Sequence, residues 1–129
     1  MGIRINTGTV KIEVNDDGEF IVLPLGDDTF IRRFYDLLEK AEAKAGDIDE
    51  NQDVVSQLDA IIAFDKEMVA AIDDLIGRDT CRKVFGDILP GAELFLVFLA
   101  ELAPYIEKHR ETVDSRINKY NPQRTGSSV

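Results

Sequence analysis

The sequence predicts an α+β fold: a mainly helical domain with an N-terminal β-hairpin packed on three main helices. Three observations carry this. Val10, Ile12 and Val14 alternate with Lys11 and Glu13 just before Asn15-Asp16-Asp17-Gly18, the pattern of a half-buried strand running into a tight turn. Three later segments carry apolar residues at helical spacing, each punctuated by glycine or proline. A chain of 129 residues with 44% hydrophobic content is long and apolar enough for one core. The domain is expected over 1–120, with the Pro-, Gly- and Ser-containing stretch 121–129 as a disordered tail.

Phe20 to Leu25 reads as the return strand of the hairpin, and Pro24, which has no N–H to donate, should end it or lie on an edge. Two strands alone are marginal in water, so the hairpin must pack on the helices or on a strand from another subunit. Gly26-Asp27-Asp28-Thr29 supplies capping side chains for the first helix, whose apolar face is Phe30, Ile31, Phe34, Leu37, Leu38, Ala41 and Ala45, and Gly46 stops it. A polar loop, Asp47 to Asp53, leads to a second helix from about Gln52 to Ile76. Its stripe is Val55, Leu58, Ile61, Ile62, Met68, Val69, Ile72, Leu75 and Ile76, closed by Gly77. Asp79-Thr80 should cap a short turn, Cys81 to Phe85, ended by Gly86.

The last helix, approached through Pro90, is unusual at its start. Leu94, Phe95, Leu96, Val97, Phe98 and Leu99 are consecutive, and the pattern then thins to Leu102, Tyr105, Ile106, Val113 and Ile117. An apolar belt around a whole helix requires cover on several sides. Pro104 lies within this helix and predicts a kink near Ala100–Pro104.

The formal charge of −10 argues against general binding to nucleic acid, whose phosphates would repel the chain. The charge is uneven: residues 13–74 hold eighteen acids against five bases, whereas 115–129 hold Arg116, Lys119 and Arg124 and no acid. One cysteine, Cys81, excludes an internal disulfide and fits a reducing compartment. No secretory h-region is visible in the first fifteen residues, and the run Leu94 to Ala100 is far short of the roughly 20 residues that span a bilayer. The expected location is the cytoplasm.

Candidate chemistry is sparse. Asp47, Asp49, Asn51 and Asp53 resemble a calcium loop, but the position that needs glycine is Gln52 and the one that needs a bidentate glutamate is Leu58. His109, the only histidine, has no Cys or His partner at zinc spacing and no set for a catalytic triad. Cys81 near a helix start is a candidate for a lowered pKa. Asp73-Asp74, at the C-terminal end of a helix where the dipole disfavours acids, is a candidate contact for a basic partner. No glycine-rich phosphate loop is present. The sequence therefore predicts no enzyme activity, no cofactor and no metal, and points to a protein that binds other proteins.

Three stretches carry a family resemblance. They are the strand pair leading into Phe30-Ile31-Arg32-Arg33-Phe34-Tyr35, the segment Arg78-Asp79-Thr80-Cys81-Arg82-Lys83-Val84-Phe85-Gly86, and the closing Ile117-Asn118-Lys119-Tyr120-Asn121-Pro122-Gln123-Arg124. In this order the chain resembles the small tail-assembly chaperone-like proteins of phages and prophages of Gram-positive bacteria. The most specific matches are Lys83-Val84-Phe85-Gly86 and Lys119-Tyr120-Asn121-Pro122-Gln123-Arg124. The chain departs from the family's pattern after Arg124, where Thr125 to Val129 replaces a longer basic run. The resemblance implies a non-enzymatic protein of the bacterial host cytoplasm that coats the tape-measure protein and keeps it soluble until tail-tube subunits polymerise around it. A longer product made by ribosomal frameshifting is common in such systems.

The residues agree in kind. A chaperone for a long amphipathic helical client needs apolar grooves and a soluble acidic exterior. The expected contact residues are Phe98, Leu102, Tyr105 and Ile106 beside Pro104, with Tyr120 and Arg124 in the acid-free end; large aromatic side chains offer contact area at low entropic cost. The chain is also expected to self-associate through the hairpin edges or the Leu94–Leu99 belt. The alternative function is a generic protein–protein interaction module or an antitoxin-like regulator.

Overall fold

In a computed structural model, which describes residues 2–3, 5–46 and 53–120, the order is β1 (Thr9–Glu13), β2 (Phe20–Pro24), α1 (Asp28–Ala45), α2 (Val54–Ile76), α3 (Thr80–Phe85) and α4 (Ala92–Tyr120). The fold is the α+β arrangement expected: an antiparallel hairpin against a helical body. The segment 121–129 read as a disordered tail, and all of the acidic loop except Asp53, lie outside the described residues.

The hairpin register pairs Val10 with Leu23 and Ile12 with Ile21 on the inner face, and Ile21 and Leu23 are buried in the core. The outer face carries Lys11, Val22 and Phe20, and the Lys11 ammonium sits 3.7 Å from the Phe20 ring centroid. The turn is built on Asn15. Its Oδ1 accepts from the N–H groups of Asp17 and Glu19, and Gly18 takes the positive φ of 79° that the turn requires. Pro24 closes β2 opposite Thr9, and the next residue, Leu25, donates its N–H to the Gly8 carbonyl at 3.2 Å, so the pairing continues past the proline.

α1 starts where expected: Asp27 Oδ1 accepts from Thr29 and Phe30, and Gly46 follows the last turn. It buries Phe30, Phe34, Leu37 and Ala41, one continuous face at i, i+4, i+7 and i+11. This face makes the most extensive helix–helix contact of the fold with α4, which buries Phe95, Phe98, Leu99, Leu102 and Ile106. α4 continues as one helix through Pro104 to Tyr120. Its apolar start is covered on most sides but not all: Leu94 and Val97 remain 42% and 56% exposed.

α2 runs antiparallel to α1. Arg33 meets Asp74 at 2.7 Å at one end, and Lys44 lies 5.5 Å from the Phe64 ring centroid at the other. α2 starts at Val54, with Asp53 as its cap: Oδ1 accepts from the Ser56 N–H and Oδ2 from the Ser56 hydroxyl.

The cap expected for α3 is corrected. Asp79 adopts a left-handed φ of 66° and its side chain caps nothing. Instead Asp73 of α2 reaches across, and its Oδ1 accepts the Cys81 N–H at 3.0 Å. Thr80 is buried and donates its hydroxyl to the Gly77 carbonyl at 2.6 Å. α3 then serves as a clasp. Phe85 stands edge-on to Phe95 and Phe98, with ring centroids 5.9 and 5.7 Å away, and such pairs contribute about 0.5–1.5 kcal/mol beyond burial. Asn15 donates to the Lys83 carbonyl, the Lys83 ammonium to the Phe20 carbonyl, and Arg82 pairs with Glu19. The Lys83-Val84-Phe85-Gly86 stretch thus ties the hairpin to the base of α4.

Replacing Phe95, fully buried, with alanine is expected to cost about 3–5 kcal/mol in urea unfolding. The same replacement at Val97, more than half exposed, should cost less than about 0.5 kcal/mol. Equal losses at both positions would contradict this placement of α4.

Candidate partner-binding surfaces

The residues that suggested chemistry are mostly absorbed by structure. Cys81 is buried, and its thiol pKa is pushed up to about 12 by burial and then by the neighbouring Asp73 carboxylate. Cys81 is thus a small packed side chain, and the alternative of a lowered pKa at a helix start is overturned. Asp73 and Asp74 already have partners within the fold: Asp73 accepts from the Cys81 backbone, and Asp74, largely exposed, pairs with Arg33. Asp53, the described member of the acidic loop, caps α2, and its hydrogen bonds from Ser56 lower its carboxyl pKa. Among the described residues no group of three or more His, Cys, Asp or Glu is placed to hold a metal ion. None of the helices, over the same residues, is long and apolar enough to cross a membrane.

The expected contact residues on α4 divide. Phe98, Leu102 and Ile106 are 7%, 3% and 0% exposed and hold the core, so they present no surface to a partner in this conformation. Helical periodicity alone shows that these positions share a face; it does not show whether α1 or another chain covers it. Tyr105 lies off that face and is 41% exposed. Tyr120 is the last residue of α4, and Arg124 lies outside the described residues.

His109 lines an open groove of about 820 Å³ between the base of the hairpin, the start of α1 and the second half of α4. Gly8 packs closely against the His109 ring. Gly8 has a φ of 76°, and a Cβ there would run into the His109 ring and the Gly26 backbone. The walls mix Arg32, Arg110 and Arg116 with Asp27, Asp28 and Asp114, so the groove has no single charge to select a ligand.

The larger exposed feature was not apparent in the sequence. Over residues 54–63 of α2 no residue is buried, although Val54, Val55, Leu58, Ile61 and Ile62 all lie there, at 70%, 67%, 49%, 41% and 39% exposure. Further along the same helix Met68 and Ile72 are 2% and 0% exposed. The cause is length and offset together: α1 begins five residues before Arg33, whereas α2 ends two residues after its partner Asp74. α2 has 23 residues and its antiparallel neighbour α1 has 18. α1 ends at Ala45, one residue beyond the Lys44 that faces Phe64. The first turns of α2 therefore have no neighbouring helix from α1.

Asp65 sits at the boundary between the open and closed parts of α2. It is only 4% exposed, and its Oδ1 has no hydrogen-bond partner. Burial raises its pKa, opposed by the nearby Lys44 charge. A raised pKa for an acid means that the folded state holds the carboxylate at a cost while it is ionised. That cost is fully present above the folded-state pKa. It fades as pH falls through the folded-state pKa and is gone below the unfolded value of about 3.9.

Replacing Asp65 with leucine is accordingly expected to stabilise the domain, by about 1 kcal/mol or more at pH 7. The advantage over the wild type should shrink as pH falls through the folded-state pKa toward pH 4. A variant less stable than wild type at pH 7, measured by thermal or urea melts, would show that the carboxylate has a partner that stabilises it.

No protein of curated function and no solved structure matches the chain. A family model does: residues 17–128 match DUF6673, a family of unknown function, and the chain belongs to that family.

Proposed function

We propose that this protein is a non-enzymatic tail-assembly chaperone of the phage type, which binds an amphipathic helical client, the tape-measure protein, in the host cytoplasm and keeps it soluble. The observation that carries the reading is the open half of α2. Val54, Val55, Leu58, Ile61 and Ile62 form an apolar face on a helix whose opening turns contain no buried residue. Helices of that length without tertiary cover are marginal in water. A contiguous apolar face on a soluble domain is a common mark of a protein contact, and helix-in-groove capture is the mode that matches a face of this period.

Other features support the same reading. A formal charge of −10 suits a carrier that must stay soluble while it holds an apolar client. Phe85, in the stretch that carries part of the family resemblance, anchors the base of α4, so that stretch is structural. On this reading Tyr105 extends the client contact along the outside of α4, Tyr120 and Arg124 also belong to the contact, and Phe98, Leu102 and Ile106 hold the helix in place. Self-association belongs to the proposal as well, through exposed Phe20 and Val22 on the hairpin or Leu94 and Val97 on α4.

The test is co-expression with the tape-measure protein of the same genetic neighbourhood. The wild-type chain should hold the client in the soluble fraction and co-purify with it. Leu58→Glu, at an exposed site, should leave the melting temperature within a few degrees and send the client to the pellet. A client that stays soluble and bound with Leu58→Glu, or that is equally insoluble with the wild-type chain, contradicts the proposal.

A further inference from the structure

We propose that the free edge of β1 pairs with β1 of a second copy of this chain, antiparallel about a twofold axis at Ile12, so that two hairpins form one continuous sheet. This is a surface separate from the client contact on α2, and it narrows the self-association proposed above to one strand edge. The Val14 N–H donates to the Glu19 carbonyl at 2.9 Å and the Leu25 N–H to the Gly8 carbonyl at 3.2 Å. With the register of the hairpin, these bonds place the ladder of β1 on Gly8, Val10, Ile12 and Val14. The N–H and C=O groups of Thr9, Lys11 and Glu13 therefore point away from β2, and among the described residues they have no partner.

The outer edge of β2 is different. The Phe20 carbonyl accepts from the Lys83 ammonium at 3.3 Å, Pro24 has no N–H, and the Pro24 carbonyl accepts from the Asp27 N–H at 3.0 Å. Only β1 is open along its length. Burial follows the same asymmetry: on the inner face Ile21 and Leu23 are buried, whereas Val10 and Ile12 opposite them are half-buried.

The side chains select a second copy as the occupant. About a twofold axis at Ile12, Lys11 stands opposite Glu13 of the second copy, and Glu13 opposite its Lys11. Both residues also have their free backbone groups aimed at the facing strand, as a hydrogen-bonded pair requires. Opposite charges directly across strands attract, and like charges repel. On the inner face the same register sets Ile12 beside Ile12 and Val10 beside Val14, which closes an apolar row now covered by β2 on one side only. A lysine on an edge strand commonly discourages pairing; here the acid two residues further on makes the strand complementary to itself. The Lys11 ammonium rests 3.7 Å from the Phe20 ring centroid on the outer face, and the exposed Glu13 carboxylate has no ion pair among the described residues. A two-stranded sheet is marginal by itself, and a sheet of more than two strands over one apolar face is not.

Sedimentation of the full chain at micromolar concentration tests this and should show a dimer. Lys11→Glu and Glu13→Lys, each alone, set like charges across the twofold axis and should weaken the dimer at least about tenfold. An equimolar mixture of these two variants should restore it as a mixed pair, because every acid then faces a base. The double variant Lys11→Glu, Glu13→Lys should restore it too. No effect on the fold of a single chain produces that rescue. Leu58→Glu should leave the dimer intact, so failure of the client contact and failure of this one are read separately. A wild-type chain that stays monomeric overturns the proposal, as does a dimer that both single variants leave intact or that neither the mixture nor the double variant restores. A dimer dissociated by Leu58→Glu or Val97→Glu but not by the charge variants lies on α2 or α4 and overturns it as well.

Discussion

The packing of α1 on α4 is the constraint from which the rest of the structure follows. Phe30, Phe34, Leu37 and Ala41 on one helix and Phe95, Phe98, Leu99, Leu102 and Ile106 on the other are all nearly or fully buried. At about 1.5–3 kcal/mol for each large apolar side chain, their burial is the main local source of stability. Everything else is attached to that pair. The hairpin lays Ile21 and Leu23 against the same core. α3 inserts Phe85 against the base of α4 and binds the hairpin turn through Asn15, Arg82 and Lys83.

α2 is the element that this arrangement only half satisfies. Its last turns are fixed by Met68, Ile72 and Leu75 in the core, by Asp73 on α3 and by Asp74 on Arg33. Its first turns extend past the end of α1, with five large aliphatic residues in water and an acid without a hydrogen-bond partner at the point where cover begins. Each of those features opposes stability in the isolated chain. Local inconsistencies of this kind concentrate at functional sites, because a surface shaped for a partner is incomplete without it.

The sequence was informative where one chain segment decides the outcome. The hairpin turn at Asn15–Gly18, the Asp27 cap and Gly46 stop of α1, and the Gly77 and Gly86 punctuation depend on residues within a few positions of one another. It was less informative where two segments decide it. Asp79 stood in the N-cap position of α3, but the cap comes from Asp73, six residues earlier on another helix. Phe98, Leu102 and Ile106 looked available to a partner because their periodicity does not say that α1 covers them. Conversely, the stripe of α2 looked like an ordinary buried face. Two signals in the sequence pointed the other way: a second helical segment longer than the first, and Asp65 interrupting the stripe between Ile62 and Met68. Antiparallel helices of unequal length joined in sequence leave one end uncovered.

Hydrogen–deuterium exchange, run on the free chain and on the chain with the proposed helical client, reads the two halves of α2 separately. In the free chain, amides of residues 57–63 should exchange much faster than those of 68–76, although both belong to one helix, because only the second stretch is held by the core. Client binding should protect 57–63 and leave 68–76 nearly unchanged. Uniform slow exchange along α2 in the free chain, or client protection confined to α4 with none in 57–63, would contradict the account.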